Sequence, residues 1–109
     1  MSLLAEYFKE AQTKEIVEDD RGFATYYFLN EGVYVEDIWI KPEFRSNGAA
    51  RDLLDQIAEI AKNRGCSKML GSCVPSAKNS THALKAAFSY GFELLYAKEN
   101  FIAYSKDLV

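Results

Sequence analysis

Apolar and polar residues alternate over short runs in residues 14–41, a spacing typical of half-buried strands. Asp19-Asp20-Arg21-Gly22 and Asn30-Glu31-Gly32 interrupt these runs with residues that favour tight turns. The pattern therefore predicts three strands joined by hairpins as an antiparallel meander. The predicted strands are Lys14–Glu18, Phe23–Leu29 and Val33–Lys41.

Helical spacing occurs in three other segments. Residues 2–12 place apolar side chains three and four positions apart behind Ser2, a possible N-cap. Residues 47–64 carry a longer apolar stripe that Gly65 closes, and Gly91 closes a shorter helix over residues 80–90. The remaining segments predict strands: Ser67–Val74, Phe92–Lys98 and Phe101–Lys106.

The predicted order is α-β-β-β-α-β-α-β-β. A strand–helix–strand crossover at its centre requires one parallel pair within a sheet that is otherwise antiparallel. We therefore predict an α+β fold with a mixed sheet, resembling an α/β sandwich. A length of 109 residues, of which 49% are hydrophobic, predicts a single domain over residues 1–109.

Cysteine content and hydropathy indicate the compartment. Cys66 and Cys73 form neither a disulfide framework nor a metal-binding spacing. We find no signal peptide and no apolar run of the roughly 20 residues needed to span a bilayer. These features predict a soluble cytoplasmic protein with no bound metal and no membrane contact.

Charge is distributed unevenly along the chain. The net charge of −3 argues against a general nucleic-acid binder. Residues 1–40 carry nine acids and three bases, a charge of −6, whereas residues 41–109 carry seven acids and ten bases, a charge of +3. The first part could attract cations and the second could accept anions, although solvated surfaces would give the same counts.

One segment carries candidate chemistry, at the junction of a strand and the long helix. Pro42 ends the strand, Arg45 adds a positive charge, and Gly48 lets the backbone approach a ligand. The unpaired N–H groups of a helix's first turn, together with its dipole, favour an anion. The spacing is neither a Walker A nor a dinucleotide motif, so by itself it is a weak signal, and an ordinary loop with a solvated arginine is the alternative interpretation.

The complete motif is more specific. Arg45-x-x-Gly48-x-Ala50 follows a strand ending Ile40-Lys41-Pro42, and a later helix reads Ser80-Thr81-His82-Ala83 through Gly91-Phe92. This combination resembles the GNAT superfamily of N-acetyltransferases over about residues 32–108. The resemblance implies the GNAT fold, with a splayed parallel pair, and an acyl-CoA N-acyltransferase-like domain that uses acetyl-CoA as co-substrate.

The resemblance also implies the coenzyme A-binding residues. Backbone amides of residues 46–50 would hold the pyrophosphate, and the strand end at residues 38–40 would splay from residues 69–73 and bind the pantetheine arm. An amide near Ile40 would polarise the thioester carbonyl. The implied set is Ile38, Trp39, Ile40, Arg45, Ser46, Asn47, Gly48, Ala49, Ala50, Asn79 and Ser80.

Direct transfer to an amine requires a base. Glu36 and Asp37 are the candidates, on adjacent strand positions and so on opposite faces, with Glu36 sharing a face with Ile38 and Asp37 sharing one with Trp39. Glu36 is preferred because family members commonly place a Glu near this point. A surface acid without a catalytic role is the alternative.

The chain departs from the family pattern at three points. Ala87 stands where many members carry a Tyr that protonates the leaving thiolate, with Tyr90 nearly on the same helical face. Ser80 stands where an Asn often contacts coenzyme A, and Asn79 could replace it. One helix rather than two precedes Lys14, so the acceptor side is more open, or is completed by another subunit, as in a homodimer, or by a macromolecular substrate.

Three functions therefore compete. The first is an N-acetyltransferase acting on a primary amine of a small molecule or polypeptide, for which an acidic acceptor side suits a cationic substrate. The second is a reduced GNAT-fold domain that binds coenzyme A or a protein partner without acyl transfer. The third is an unrelated α+β interaction module. His82, the only histidine, is interpreted as a solvated surface residue.

Overall fold

A computed structural model describes residue 3 and residues 14–45, 47–78 and 80–108. The predicted helix over residues 2–12 lies, apart from residue 3, outside this part of the chain, as do Ser46 and Asn79. The described residues contain no helix long and apolar enough to cross a membrane.

In the described part of the chain, six strands and two longer helices follow the order predicted for residues 14–108, and their bounds agree with the predictions to within two residues. The elements are β1 (Glu15–Asp19), β2 (Gly22–Leu29), β3 (Gly32–Ile40), α1 (Ala49–Asn63), β4 (Lys68–Cys73), α2 (Ser80–Tyr90), β5 (Glu93–Lys98) and β6 (Phe101–Asp107). A short 3-10 helix, Pro42–Phe44, connects β3 to the loop before α1.

The strands form one mixed sheet in the order β1-β2-β3-β4-β6-β5. The pair β3–β4 is parallel and the other pairs are antiparallel. Because α1 carries the chain back across the sheet between β3 and β4, these two strands must run in the same direction. The predicted mixed sheet with one parallel pair is confirmed.

Both helices pack on one face of the sheet. Leu53 and Ile57 of α1 are fully buried, together with Val33 of β3 and Met69 of β4, which pair across the parallel ladder. The hydroxyl of Tyr90, at the end of α2, donates to Asp55 Oδ1 of α1 at 2.7 Å. This bond joins the two helices across the layer that covers the core.

Tyr104 of β6 packs closely beneath α2. Its ring lies against Gly71 of β4, where an added Cβ would come within 2.5 Å of the ring. Phe88 and Phe92 contact the same ring edge-on, with centroid distances of 6.2 and 5.2 Å. Gly71 is therefore needed for this packing, because any larger residue would displace the tyrosine.

Two buried tyrosines, Tyr26 and Tyr104, make the stability of the fold depend on pH in the alkaline range. Burial raises the pKa of Tyr26 and that of Tyr104 to about 12, against about 10 in an unfolded chain. Since the folded state favours the neutral phenols, their contribution to stability is complete below about pH 10 and is lost as the pH rises through about 12.

We therefore expect phenolate absorbance to show a late group of tyrosines whose ionisation coincides with loss of the circular dichroism signal. Replacing Tyr104 by Phe should reduce the amplitude of this late phase. Ionisation of all seven tyrosines near pH 10 with the fold intact would contradict the expectation.

Candidate active site

The parallel strands β3 and β4 separate partway along their length. Their pairing runs from Gly32 with Lys68 to Val35 with Gly71 and then stops. Beyond this point β3 stays paired with β2, and β4 stays paired with β6. The sheet therefore opens into a V, whose apex lies at Val35 and Gly71 and whose mouth faces the end of β3.

A β-bulge in β3 marks the apex. The register with β2 shifts so that Thr25 pairs with Asp37 while Tyr26 pairs with Val35, which leaves Glu36 as the extra residue. At this irregularity the Asp37 N–H donates to a side-chain atom, Thr25 Oγ1, at 3.2 Å. Such a bulge bends the strand and increases its twist, which accounts locally for the divergence from β4.

The bulge also corrects the expected placement of the two carboxylates on opposite faces. Lys14 Nζ donates to Glu36 Oε1 at 2.7 Å, and its ammonium also interacts electrostatically with Asp37 and Tyr27. Strict alternation is interrupted by the extra residue, so both carboxylates lie near Lys14, on the face opposite the helices. Chiefly because of the hydrogen bond to Glu36, the pKa of Lys14 is raised.

Backbone groups of β3 point into the V. The Lys41 N–H donates to the Arg21 carbonyl at 2.8 Å, so Lys41 bonds towards β2. Alternation in an antiparallel ladder then directs the N–H and C=O of Ile38 and Ile40 away from β2, towards the side that β4 has left. The structure therefore brings these two predicted residues to the opening by their main chain, whereas the ring of Trp39 contacts Phe23, with centroids 6.3 Å apart.

Arg45 lies at the mouth of the V. Its Nε donates to the Ile40 carbonyl at 2.9 Å. This bond holds the arginine against the end of β3 and leaves the rest of the guanidinium group at an exposed position. The positive charge therefore lies between the strand end and the start of α1, close to where the sequence predicts it.

The start of α1 forms the other side of the mouth. Gly48 is its N-cap in the left-handed conformation, with φ 82°, and an added Cβ would meet nothing within 4 Å. The Asp52 N–H makes the first helical bond, to the Gly48 carbonyl at 3.0 Å. The N–H groups of Ala49, Ala50 and Arg51 therefore have no acceptor within the helix and face outward from its positive end.

The one acidic side chain in the first turn of α1 is paired. Arg21 donates to Asp52 Oδ2 at 2.9 Å and to Asp19 Oδ2 at 2.9 Å. Hydrogen bonds from Arg21 hold the pKa of Asp19 below its ordinary value. The arginine thus ties the turn between β1 and β2 to α1 and offsets acidic charge beside the helix N-terminus.

Two tyrosine hydroxyls meet at Ser72, just past the apex. Tyr34 is hydrogen-bonded to Ser72 Oγ on the face opposite the helices, where its ring also contacts Tyr27 at 5.1 Å. Tyr104 donates to the Ser72 carbonyl at 3.2 Å from the helix face. Sequence reasoning missed Tyr104 and Ser72, because their meeting depends on the β4–β6 register.

Ala87, Tyr90 and Cys73 do not present a catalytic group at the apex. Ala87 is buried in the core. The hydroxyl of Tyr90 is engaged with Asp55, so it is directed at α1 rather than at Ser72. Cys73 ends β4 beside a groove of about 280 Å³ under α2, and burial raises the pKa of its thiol, which disfavours the nucleophilic thiolate.

Four residues named from the sequence fall wholly or partly outside the described part of the chain. Ser46, Asn79 and the side chains of Ser80 and His82 lie outside what the structure describes, while Asn47 and Gly48 are exposed beside the helix start. Among the described residues no group of three His, Cys, Asp or Glu side chains could hold a metal ion.

The family model for the Acetyltransferase (GNAT) family matches residues 16–92, which include β3, the mouth of the V and α2. The chain belongs to this family. The motif at Arg45, Gly48 and Ala50 lies within the matched residues, at the junction of β3 and α1.

Curated relatives of this GNAT chain match over part of its length. Thialysine N-epsilon-acetyltransferase from Sus scrofa is 36% identical over 52 residues, 43% of this chain and 31% of the relative. The Caenorhabditis elegans enzyme of the same name is 29% identical over 70 residues, 60% of this chain and 44% of the relative. The matched segments therefore span between about a third and just under half of the relatives' own length.

Solved structures show the same fold. The PaiA N-acetyltransferase of Thermoplasma acidophilum, solved in complex with coenzyme A, aligns with a TM-score of 0.77 at 16% identity and covers 96% of this chain and 69% of that one. An aminoglycoside 6'-N-acetyltransferase complexed with coenzyme A aligns with a TM-score of 0.75 at 13% identity, covering 95% and 77%. The GNAT fold expected from the motif is confirmed.

Proposed function

We propose that this GNAT chain transfers an acetyl group from acetyl-CoA directly to a primary amine. The observation that carries the proposal is the V between β3 and β4, with the main chain of Ile38 and Ile40 directed into it. An outward-facing helix N-terminus lies at the mouth of the same V. Together these features suit a ligand with an anionic end and an extended amide-bearing arm.

The N-terminus of α1 would hold the pyrophosphate. The N–H groups of Ala49, Ala50 and Arg51 are available, and Gly48 presents no Cβ that would obstruct an anion. Ser46 and Asn47 belong to the same proposed loop, and Arg45 would add a charge beside it. Coenzyme A binding by Asn79 and Ser80, at the start of α2, is proposed from the motif alone.

The edge of β3 would hold the pantetheine arm. From Ile40 back to Glu36 the strand spans roughly 13 Å, at about 3.3 Å per residue. An arm bound in this direction brings the thioester towards the apex, where a β3 amide could donate to its carbonyl oxygen. Acetyl-CoA supplies the activated acyl group, and the chain supplies position and charge.

The acceptor amine would approach from the face that carries Glu36 and Asp37. Both carboxylates lie near the apex, and either could accept a proton from the ammonium group directly or through water. We propose Glu36 as the base, with Asp37 as second candidate. Glu36 and Asp37 together outweigh the positive charge of Lys14 beside them, and the remaining negative charge favours a cationic amine. The relatives named thialysine N-epsilon-acetyltransferase point to a lysine-like side chain.

Tyr104 would protonate the leaving thiolate. The helix N-terminus that would hold the pyrophosphate lies on the helix side of the sheet, and the Tyr104 hydroxyl reaches Ser72 from that side. As the C–S bond breaks, its electron pair stays on sulfur and the phenol proton moves there. The tyrosine is then reprotonated from solvent, which receives the proton taken from the amine.

A coenzyme A-binding domain without transferase activity is the second candidate. It is favoured by Ala87, which is buried in the core at the position where the family motif often has a tyrosine. Binding and chemistry must therefore be measured separately.

Gly48 gives a direct test of binding. Acetyl-CoA at about 100 times its Kd should stabilise the chain by about 2.7 kcal/mol, raising Tm on the order of 10 °C at this size. Gly48→Glu should abolish this increase, because it places a carboxylate in the anion site. Gly65→Glu is a matched control at the other end of α1, with φ 83° and equally open surroundings. It should carry similar backbone strain and still respond to acetyl-CoA.

An equal response of the Gly48 variant and the unchanged chain to acetyl-CoA would refute the proposed pyrophosphate site. The absence of any response in the unchanged chain at millimolar acetyl-CoA would refute coenzyme A binding altogether.

Glu36→Gln and Asp37→Asn test the base. We expect Glu36→Gln to lower kcat/KM about 100-fold in a thiol-release assay with lysine-like amines, polyamines and basic peptides, with a smaller loss for Asp37→Asn. The acetyl-CoA-induced rise in Tm should persist in both variants. Glu59→Gln, an exposed acid on α1, is the control. If kcat/KM in both variants equalled that of this control across about pH 6–9, neither carboxylate would be the base.

The variants Tyr104→Phe and Tyr34→Phe test whether the hydroxyl on the helix face, rather than the one on the opposite face, takes part in the reaction. Both remove a hydroxyl bonded to Ser72, but only Tyr104 lies on the proposed thiolate side. We expect Tyr104→Phe to lower kcat about tenfold or more while KM for the amine and the acetyl-CoA-induced rise in Tm stay unchanged. Equal kcat values for the two variants would contradict the assignment.

A further inference from the structure

Strand β5 forms an exposed edge of the sheet. It is last in the strand order, with β6 on one side, and all six of its residues are exposed. Leu94, Leu95 and Tyr96 are consecutive, and 58%, 55% and 51% of their surface, respectively, is exposed to solvent. Unpaired edge strands offer N–H and C=O groups to another chain, and an apolar one is a pairing surface unless it is protected.

The opposite edge is protected by charge and β5 is not. β1 reads Glu-Ile-Val-Glu-Asp, so that two copies of it brought together would oppose several acids. The interior of β5, from Leu94 to Ala97, contains no charge and no proline. Its charged residues stand only at its ends, Glu93 and Lys98, and they have opposite signs.

The bulge in β5 brings these two end charges to one face. Glu93 pairs with Ser105 and Lys98 with Phe101, and the shift between Leu94 and Tyr96 leaves Leu95 as the extra residue. Phe101 and Ser105 are four apart on β6 and therefore share a face. Glu93 and Lys98 share that face too, although their spacing of five would separate them in a regular strand.

We infer that β5 pairs antiparallel with β5 of a second copy of this chain, about a twofold axis perpendicular to the sheet. Glu93 then lies opposite the partner subunit's Lys98, and Lys98 opposite the partner subunit's Glu93. Leu94 faces the partner subunit's Ala97 on the other face of the sheet. Leu95 and Tyr96 lie at the centre, and the contact is isologous and closed.

Apolar side chains next to β5 extend this surface on both faces. Phe101 contacts Tyr96 with ring centroids 5.8 Å apart and is 37% exposed. On the helix face Phe88 is 43% exposed beside Tyr104, the partner of Leu94 in the ladder. Pairing of two copies would remove this patch from water and join two six-stranded sheets into one.

Charge exchange tests the register. Sedimentation velocity over a range of concentrations should give twice the chain mass of 12.3 kDa for the unchanged protein. Glu93→Lys opposes two lysines and Lys98→Glu opposes two glutamates, so each should raise the dimer Kd at least about tenfold. The double exchange Glu93→Lys with Lys98→Glu restores both pairs and should return the Kd to within about threefold of the original.

The matched control is Glu59→Lys, the same charge change at an exposed position on α1, which should leave the dimer intact. Thermal melts of each variant check that the fold is retained. A chain that is monomeric at every concentration overturns the inference, as does a dimer whose Kd none of the three β5 variants changes. Failure of the double exchange to recover association overturns the proposed register.

Discussion

The early end of the β3–β4 ladder is the constraint on which the rest of the site depends. Parallel strands normally satisfy each other's backbone groups along their shared length. Here pairing stops at Val35 and Gly71, so the main chain of Ile38 and Ile40 faces an opening. The separation is stable because each strand keeps its other neighbour, β2 for β3 and β6 for β4. The bulge at Glu36 turns β3 away at the point where the pairing ends.

The same opening divides the chemistry between the two faces of the sheet. The helix face holds the N-terminus of α1, which is suited to binding an anion, and the hydroxyl of Tyr104, which is suited to donating a proton. The opposite face holds Glu36 and Asp37 close to Lys14. A reaction across such a gap can receive an anionic donor from one side and a cationic acceptor from the other, so that the two do not compete for access.

Much of this arrangement could be predicted from the sequence. Hairpin residues such as those at 19–22, the apolar stripe of α1 and the glycines that end both helices report local conformation, which neighbouring residues decide. The crossover between β3 and β4 made a parallel pair unavoidable. The motif at Arg45 and Gly48 predicts an anion site at the start of α1, because the unpaired N–H groups of a helix's first turn favour a negative charge.

What depends on pairing across the sheet could not be predicted. The opposite-face placement expected for Glu36 and Asp37 is wrong because a bulge, set by the register with β2, interrupts the alternation. The same holds for the meeting of Tyr34 and Tyr104 at Ser72, which joins residues more than 30 positions apart. The sequence by itself determined the described strands and helices, their order and the position of the helix start at Gly48, because these follow from spacing within single segments. Only the tertiary structure decided which hydroxyls and carboxylates surround the apex and which edge stays uncovered, because register and strand order arise from contacts between distant segments.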